Sequence, residues 1–203
     1  MCSTPRKTSD ELRTHYRAAR RDLHHAQRKI ATEQIHHHLD GLIARLQPKL
    51  IAAYLAFDGE VDLSAWLQRC GTRVAVPVID PKTPGQMHFA MWSEQATQAN
   101  RFGISEPADA PPIHPDTIDL LLAPLVAWDD TGVRLGMGGG YYDRYLHTHM
   151  LAHSRQHTTI YGIGFTCQHS SSPLPRQSWD VPLTALVSEA GITHFATGDT
   201  DIG

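Results

Sequence analysis

Ile118-Asp119-Leu120-Leu121-Leu122-Ala123-Pro124-Leu125-Val126-Ala127-Trp128 is a nearly continuous apolar run. A strand wetted on one side alternates apolar and polar residues; one without alternation is buried on both faces, as in a sheet covered by helices. Shortly after it comes Arg134-Leu135-Gly136-Met137-Gly138-Gly139-Gly140-Tyr141-Tyr142-Asp143-Arg144. Glycines admit positive φ and bring bare backbone N–H groups close to an anion. Tyr142, Tyr145 and Leu146 then fall at i, i+3, i+4, the spacing of a helix packed on one side. Strand, glycine loop and helix together predict an anion site where the loop meets the helix start.

Working outward, strands and helices alternate on both sides. Leu50 to Phe57 reads as a strand ended by the Asp58-Gly59 turn, Leu63 to Cys70 as a short helix, and Arg73 to Ile79 as a strand parallel to the first. Pro77 predicts that pairing stops there. His88 to Trp92 reads as another strand, Thr158 to Phe165 as a buried one, and Ala185 to Ser188 as the last. Between Trp92 and Pro115 the chain reads as a long irregular loop, a length more often functional than accidental, with Phe102 to Pro107 as its compact part. The alternation predicts a single α/β domain with a largely parallel sheet flanked by helices, its core spanning 50–190.

A helical pair over 8–46 precedes that core. Leu12, Tyr16, Ala19 and Leu23 step at helical spacing behind a Thr8-x-x-Glu11 capping box. Thr32 to Leu46 forms the second helix, with Ile35, Leu39, Leu42, Ile43 and Leu46 as its buried stripe. The first helix carries Arg13, Arg17, Arg20 and Arg21, read either as a solvated face or as a grip on phosphates and carboxylates. His36-His37-His38 on the second helix does not suit a metal, because consecutive helical residues point in different directions.

At 203 residues with 41% hydrophobic and 19% charged side chains, the chain has the composition of a globular protein with one ample core. No apolar run reaches membrane-spanning length, the N-terminus is polar, and three widely spaced cysteines suit free thiols. A cytoplasmic monomer with small-molecule partners, using neither nucleic acid nor membrane, is the expectation. Residues 1–50 carry ten Lys/Arg against five Asp/Glu, whereas the remainder carries eight against sixteen. A basic arm on an acidic body draws an anionic ligand such as a nucleotide. Weak nucleic-acid binding would also use such an arm, but no zinc-finger or RNA-recognition signature accompanies it.

The glycine loop is not a P-loop, since Gly140 is followed by Tyr141 rather than Lys-Ser/Thr, and it is a poor dinucleotide fingerprint, since the third glycine site is Tyr141. Glu60 stands at the C-terminal edge of the first strand, where open α/β sheets bind ligands. Asp180 lies in Trp179-Asp180-Val181-Pro182, where it either caps a turn or joins Asp143 around a hard cation such as magnesium.

Taken in order, Leu12-Arg13, Phe57-Asp58-Gly59-Glu60, Phe102-Gly103-Ile104-Ser105-Glu106-Pro107, Ala123-Pro124-Leu125-Val126-Ala127, the glycine loop, and Trp179-Asp180-Val181-Pro182-Leu183 resemble the 5-formyltetrahydrofolate cyclo-ligase family. The resemblance covers nearly the whole chain. It implies ATP-dependent closure of 5-formyltetrahydrofolate to 5,10-methenyltetrahydrofolate with release of ADP and phosphate. It further implies that Arg13, Arg134, Leu135, Gly136, Met137, Gly138, Gly139, Gly140, Tyr141 and Tyr142 bind ATP. Glu60, Arg17 and Tyr142 would bind the folate, Asp143 and Asp180 would hold magnesium, and Arg134 and Tyr142 would position groups and neutralise charge. Two positions depart from the family pattern. Gly139 stands where many members carry lysine, with Arg134 or Arg144 as the substitutes, and Ser9 stands where a lysine often precedes the Leu-Arg pair, with Lys7 two residues further upstream. The alternative expectation is a folate- or sugar-phosphate-binding protein of the same fold that lacks ATP chemistry.

Overall fold

The computed structural model describes residues 7–92, 97–151 and 158–196. Helices α1 (Ser9–Arg21) and α2 (His25–Leu46) lead into strand β1 (Leu50–Ala52), helix α3 (Ser64–Arg69), and strands β2 (Arg73–Ile79) and β3 (Met87–Met91). Strands β4 (Thr97–Ala99) and β5 (Ser105–Pro107) form a small hairpin, followed by β6 (Leu120–Pro124), β7 (Ala127–Asp129) and β8 (Arg134–Leu135). Helix α4 (Tyr141–Leu146) runs on as a π-turn to Leu151, and β9 (Thr159–Ile163), β10 (His169–Ser170), β11 (Ala185–Ser188) and β12 (Gly191–His194) follow.

The main sheet has the order β12-β11-β9-β6-β1-β2-β3. Its five inner strands are parallel, and β3 and β12 close the edges antiparallel. Side chains alternate between two apolar layers. Ile51, Leu120 and Leu122 meet Ile35 and Leu39 of α2 and Trp66 of α3 on one face. Leu50, Leu121 and Ala123 meet Tyr145 and Leu146 of α4 on the other. That two-sided burial is why Leu120 to Ala123 show no polar alternation. From β1 the chain winds one way to β2 and β3, and from β6 the other way to β9 and β11, so the switch of direction lies between β1 and β6. Open α/β sheets bind ligands at the strand C-termini beside that switch.

The capping box is present: Thr8 Oγ1 accepts the Glu11 N–H at 3.3 Å and the Glu11 carboxylate accepts the Thr8 N–H at 2.7 Å. Strand β2 has the expected bounds, as does β11. Several elements differ. Helix α2 begins at His25, a full turn and more before Thr32, and Leu46 of its expected stripe is exposed. Strand β1 stops at Ala52, because from Tyr54 to Glu60 the chain leaves the sheet to wall a cavity. The run 118–128 divides into β6 and β7, the latter joining a second, three-stranded sheet with β8 and β10. Ala185–Ser188 is followed by β12, and the stretch from Trp92 to Pro115 contains the β4–β5 hairpin. Pairing also continues past Pro77, which lies opposite Phe89. Ala75 faces β1, since its carbonyl accepts from Ala53 N–H at 2.9 Å; Pro77, two residues on, turns its missing donor to the side β1 has already left.

Among the described residues no helix is long and apolar enough to cross a membrane. His36 and His38 reach the carbonyls of Asp62 and Glu189. Cys2 lies outside the described residues.

Candidate active site

A cavity of about 280 Å³ opens at the C-terminal ends of β1, β2 and β6. Tyr54, Leu55, Phe57 and Glu60 come from the segment after β1, Pro77 and Ile79 from β2, and Pro124 and Leu125 from the end of β6. Asn100, Phe102 and Ile104 are supplied by the β4–β5 hairpin. The glycine loop closes the remaining side with Arg134, Gly136, Met137, Gly139, Gly140, Tyr141, Tyr142 and Asp143. A second cleft, bounded by Gly140, Asp143, Arg144, His147, Thr148, Ser178 and Trp179, shares two of these residues.

Only two of the loop's glycines use positive φ: Gly138 at 94° and Gly140 at 67°. Gly140 is also crowded, because a Cβ there would meet the Arg144 guanidinium at 2.7 Å. Arg144 in turn donates to the Gly139 and Gly85 carbonyls. The Arg144 cation therefore sits beside Gly139, the loop position at which the sequence resemblance expects a lysine. On the outer side Arg13 Nε donates to the Gly136 carbonyl at 2.9 Å, and its guanidinium covers Gly138. Helix α4 is short, so the loop presents an anion with backbone N–H groups and arginines more than with a macrodipole.

Arg134 is 7% exposed, and its Nη1 donates to Asp143 Oδ1 at 2.7 Å. Its Nε and Nη2 are buried without partners, as is the Tyr142 hydroxyl. Unpaired buried donors are costly unless a ligand satisfies them. Burial pushes the Tyr142 phenol up, so it stays protonated and able to donate. Glu60 Oε2 accepts the Phe57 N–H at 3.0 Å, and burial raises its carboxyl to about 7, opposed by that hydrogen bond and by Arg20.

Asp58, two residues before Glu60, has a side chain only 5% exposed and gathers three arginines from α1. Arg17 Nε lies 2.7 Å and Arg20 Nη2 2.9 Å from its Oδ2, and Arg21 pairs with Oδ1. Arg20, fully buried, also donates to the Leu125 and Asp58 carbonyls, while Arg28 of α2 holds the Gly59 carbonyl. The arginine face of α1 is thus an internal ion cluster that fixes one wall of the cavity. Arg17 and Arg21 keep part of their surface in solvent, and Arg13 of the same helix reaches the glycine loop instead.

The family model for 5-formyltetrahydrofolate cyclo-ligases matches residues 5–189. The chain belongs to the 5-formyltetrahydrofolate cyclo-ligase family. It is 35% identical over 181 residues to the 5-formyltetrahydrofolate cyclo-ligase of Haemophilus influenzae, covering 85% of this chain and 93% of that one. It is 39% identical over 153 residues to that of Escherichia coli, covering 71% of this chain and 80% of the other. The solution structure of Aquifex aeolicus 5,10-methenyltetrahydrofolate synthetase superimposes with a TM-score of 0.78 at 28% identity, covering 94% of each chain.

Of the residues the cyclo-ligase resemblance singled out, Glu60, Arg134, Gly136, Met137, Gly139, Gly140, Tyr141, Tyr142 and Asp143 converge on one cavity. Leu135 turns away into the small core with Val126 and Val133. Gly138 lies under Arg13, and Arg17 is spent on Asp58 rather than on the cavity wall. Asp180 is apart from Asp143 in its bonding: its Oδ2 accepts the Gln177 N–H at 2.8 Å, closing a turn. Its neighbour Trp179 does line the cleft that Asp143 shares. Among the described residues no three His, Cys, Asp or Glu side chains gather as a preformed metal site. Asp143 has one oxygen, Oδ1, engaged by Arg134 at 2.7 Å, and its side chain is 31% exposed.

Sequence reasoning missed Asn100 and Glu106. Buried Glu106 accepts from Asn100 Nδ2 at 3.0 Å and from Ile79 N–H at 3.2 Å, tying the hairpin to β2. Phe102 to Pro107 was the available signal, but no periodicity said where its carboxylate would point.

Proposed function

We propose that this chain is an ATP-dependent ligase that closes 5-formyltetrahydrofolate to 5,10-methenyltetrahydrofolate. The observation that carries the reading is one cavity holding both a carboxylate at the sheet edge, Glu60, and a glycine loop with a buried, under-satisfied arginine, Arg134. A pterin offers adjacent N–H donors that a carboxylate accepts in pairs. Triphosphate needs backbone N–H groups and guanidinium.

A formamide carbonyl is a weak electrophile. Transfer of the terminal phosphoryl group from ATP to the formyl oxygen breaks the bond to ADP and leaves an iminium-like carbon. The substrate's own N10 then attacks that carbon, the C–O bond breaks with loss of phosphate, and N10 gives up its proton. Because the nucleophile belongs to the substrate, the protein orients groups and neutralises charge. Arg134 and the Tyr142 hydroxyl are the buried donors aimed at that charge, and Arg144 stands in for the lysine absent at Gly139. Asp143 would hold magnesium, which when bound offsets charge on the phosphates. Asp180 joins it only by giving up its turn with Gln177. The reading includes a monomer acting in the cytoplasm on small molecules.

Protein incubated with 5-formyltetrahydrofolate, ATP and magnesium is expected to produce the near-ultraviolet absorbance of the methenyl product in step with ADP. Folded protein that binds folate but not ATP would favour the ATP-free alternative instead.

Glu60 gives the reading a pH signature. With its carboxyl at about 7, roughly half the unliganded protein carries the acceptor form at neutral pH. The KM for the folate is therefore expected to rise about tenfold per pH unit below 7. Calorimetry in buffers of different ionisation heat should show about half a proton released on binding at pH 7, absent in Glu60→Gln. The stability effect has the other sign. The raised carboxyl favours folding fully below its ordinary value of 4.5, and this is lost as pH rises through 7. A flat KM profile in the wild type would remove Glu60 from the pterin site.

A further inference from the structure

The mouth of the cavity holds an aromatic lip that pterin and phosphate binding leave unused. Phe57 and Phe102 are 39% and 42% exposed with ring centroids 6.4 Å apart, and Phe102 meets Tyr141 edge-on at 6.2 Å. Arg101 lies across this lip. Its guanidinium carbon is 4.9 Å from the Phe102 centroid and 5.6 Å from that of Tyr141, whose hydroxyl accepts from Nη2.

The other arginines around the cavity already have a carboxylate or carbonyl partner. Arg13 bonds Gly136 and Asp10, Arg17, Arg20 and Arg21 hold Asp58, Arg134 holds Asp143, and Arg144 spans two carbonyls. Arg101 is exposed and has no carboxylate partner among the described residues, so most of its five donors are unspent. The tip that carries it is not a loose end. Asn100 Oδ1 accepts the Phe102 N–H at 2.9 Å and the Ile104 N–H at 3.2 Å, and Asn100 is itself held by buried Glu106. The lip is continuous with the pterin acceptor, since Phe57 donates its N–H to Glu60.

We propose that Arg101, Phe57 and Phe102 form a subsite for an aromatic ring bearing an amino-acid carboxylate, the aminobenzoyl-glutamate end of the folate, with Arg101 reading the carboxylate. The proposal rests on the folate reading above and adds a specificity residue to it. Apolar ring faces take the aminobenzoyl group, and a planar guanidinium pre-oriented by stacking pairs with a carboxylate through two parallel N–H bonds. A neutral end group would leave that cation without its partner.

The experiment compares 5-formyltetrahydrofolate with its glutamate bis-carboxamide, whose end group is neutral, in wild type, Arg101→Gln and Arg101→Lys. Arg101→Gln is expected to raise KM about tenfold for the folate, the effect of losing one charge-assisted pair, and to leave KM for the bis-carboxamide within about twofold. Arg101→Lys should recover much of the loss, because charge is kept while the fork geometry is not. An equal rise on both substrates would mean that Arg101 only props Tyr141. A rise confined to KM for ATP would assign it to phosphate, and no change would leave the lip without a reader; each of these overturns the subsite. Calorimetric binding of the two compounds without ATP separates the failures. Absence of turnover with a preserved difference in Kd sinks the ligase reading alone, and equal Kd values sink the subsite.

Discussion

Arg134→Met is expected to lower kcat by about a thousandfold with little loss of fold stability, within the range seen when a charge-stabilising donor is removed from an active site. Methionine fills the stem of the buried side chain and removes two donors that have no partner in the free protein. Replacing a buried ion by an apolar group of similar volume is often neutral for folding. Asp143, left behind, is 31% exposed at its side chain and can be hydrated. The partner change behaves differently. Asp143→Asn leaves the Arg134 guanidinium, 3% exposed at its side chain, without its carboxylate, so stability falls by about 1–3 kcal/mol as turnover falls. A magnesium ligand read from a motif carries no hint of that buried partner. Urea titrations of both variants beside their kcat values test the asymmetry; a stable Asp143→Asn or an unstable Arg134→Met would contradict it.

Asp58→Asn should be the most destabilising single change, costing about 3–5 kcal/mol, the usual penalty for stranding a buried charge. For a chain of this size that is a fall in Tm of roughly 10 °C. Asparagine is chosen because Asp58 has φ 54°, a left-handed conformation that asparagine accepts, so the variant isolates charge from backbone strain. Arg20, fully buried, has no other carboxylate to turn to among its bonds. Arg21→Ala is the control: its side chain is about half exposed, and the expected cost is below about 1 kcal/mol. With the Phe57–Glu60 wall loosened, KM for the folate should rise in Asp58→Asn as well. A melting temperature equal to wild type would show that the three arginines hold nothing.

Much of this architecture can be read from residue order. The unbroken apolar run at 118–128 implies a doubly covered sheet, and the glycine loop marks its functional end. Where the reading fell short, the cause is tertiary. Nothing local tells Leu50–Phe57 to stop pairing at Ala52; the sheet loses those residues because the cavity takes them. Pro77 is harmless because of which way its nitrogen faces, a matter of strand parity against a neighbour. The arginines of α1 were left as surface or ligand contacts because a carboxylate some forty residues downstream in sequence is invisible to helical periodicity. Glu60 and Arg134 were legible because they sit inside short motifs, whereas Asn100 and Arg101 lie on a hairpin with no pattern of its own.

The bonds of α1 also bear on how the chain assembles as it is synthesised. Arg20 finds Asp58 at a sequence separation of 38, but its bond to the Leu125 carbonyl spans 105 residues and that of Arg13 to Gly136 spans 123. Domains tend to form from the N-terminus as they leave the ribosome, and contacts this distant must wait for their partner to emerge. Helix α1, although it emerges before the sheet, is thus among the last elements to be completed. Until the glycine loop is out, a nascent chain carries an arginine-rich helix with its charges only partly matched, and the nucleotide end of the site closes in the same step that finishes the helix.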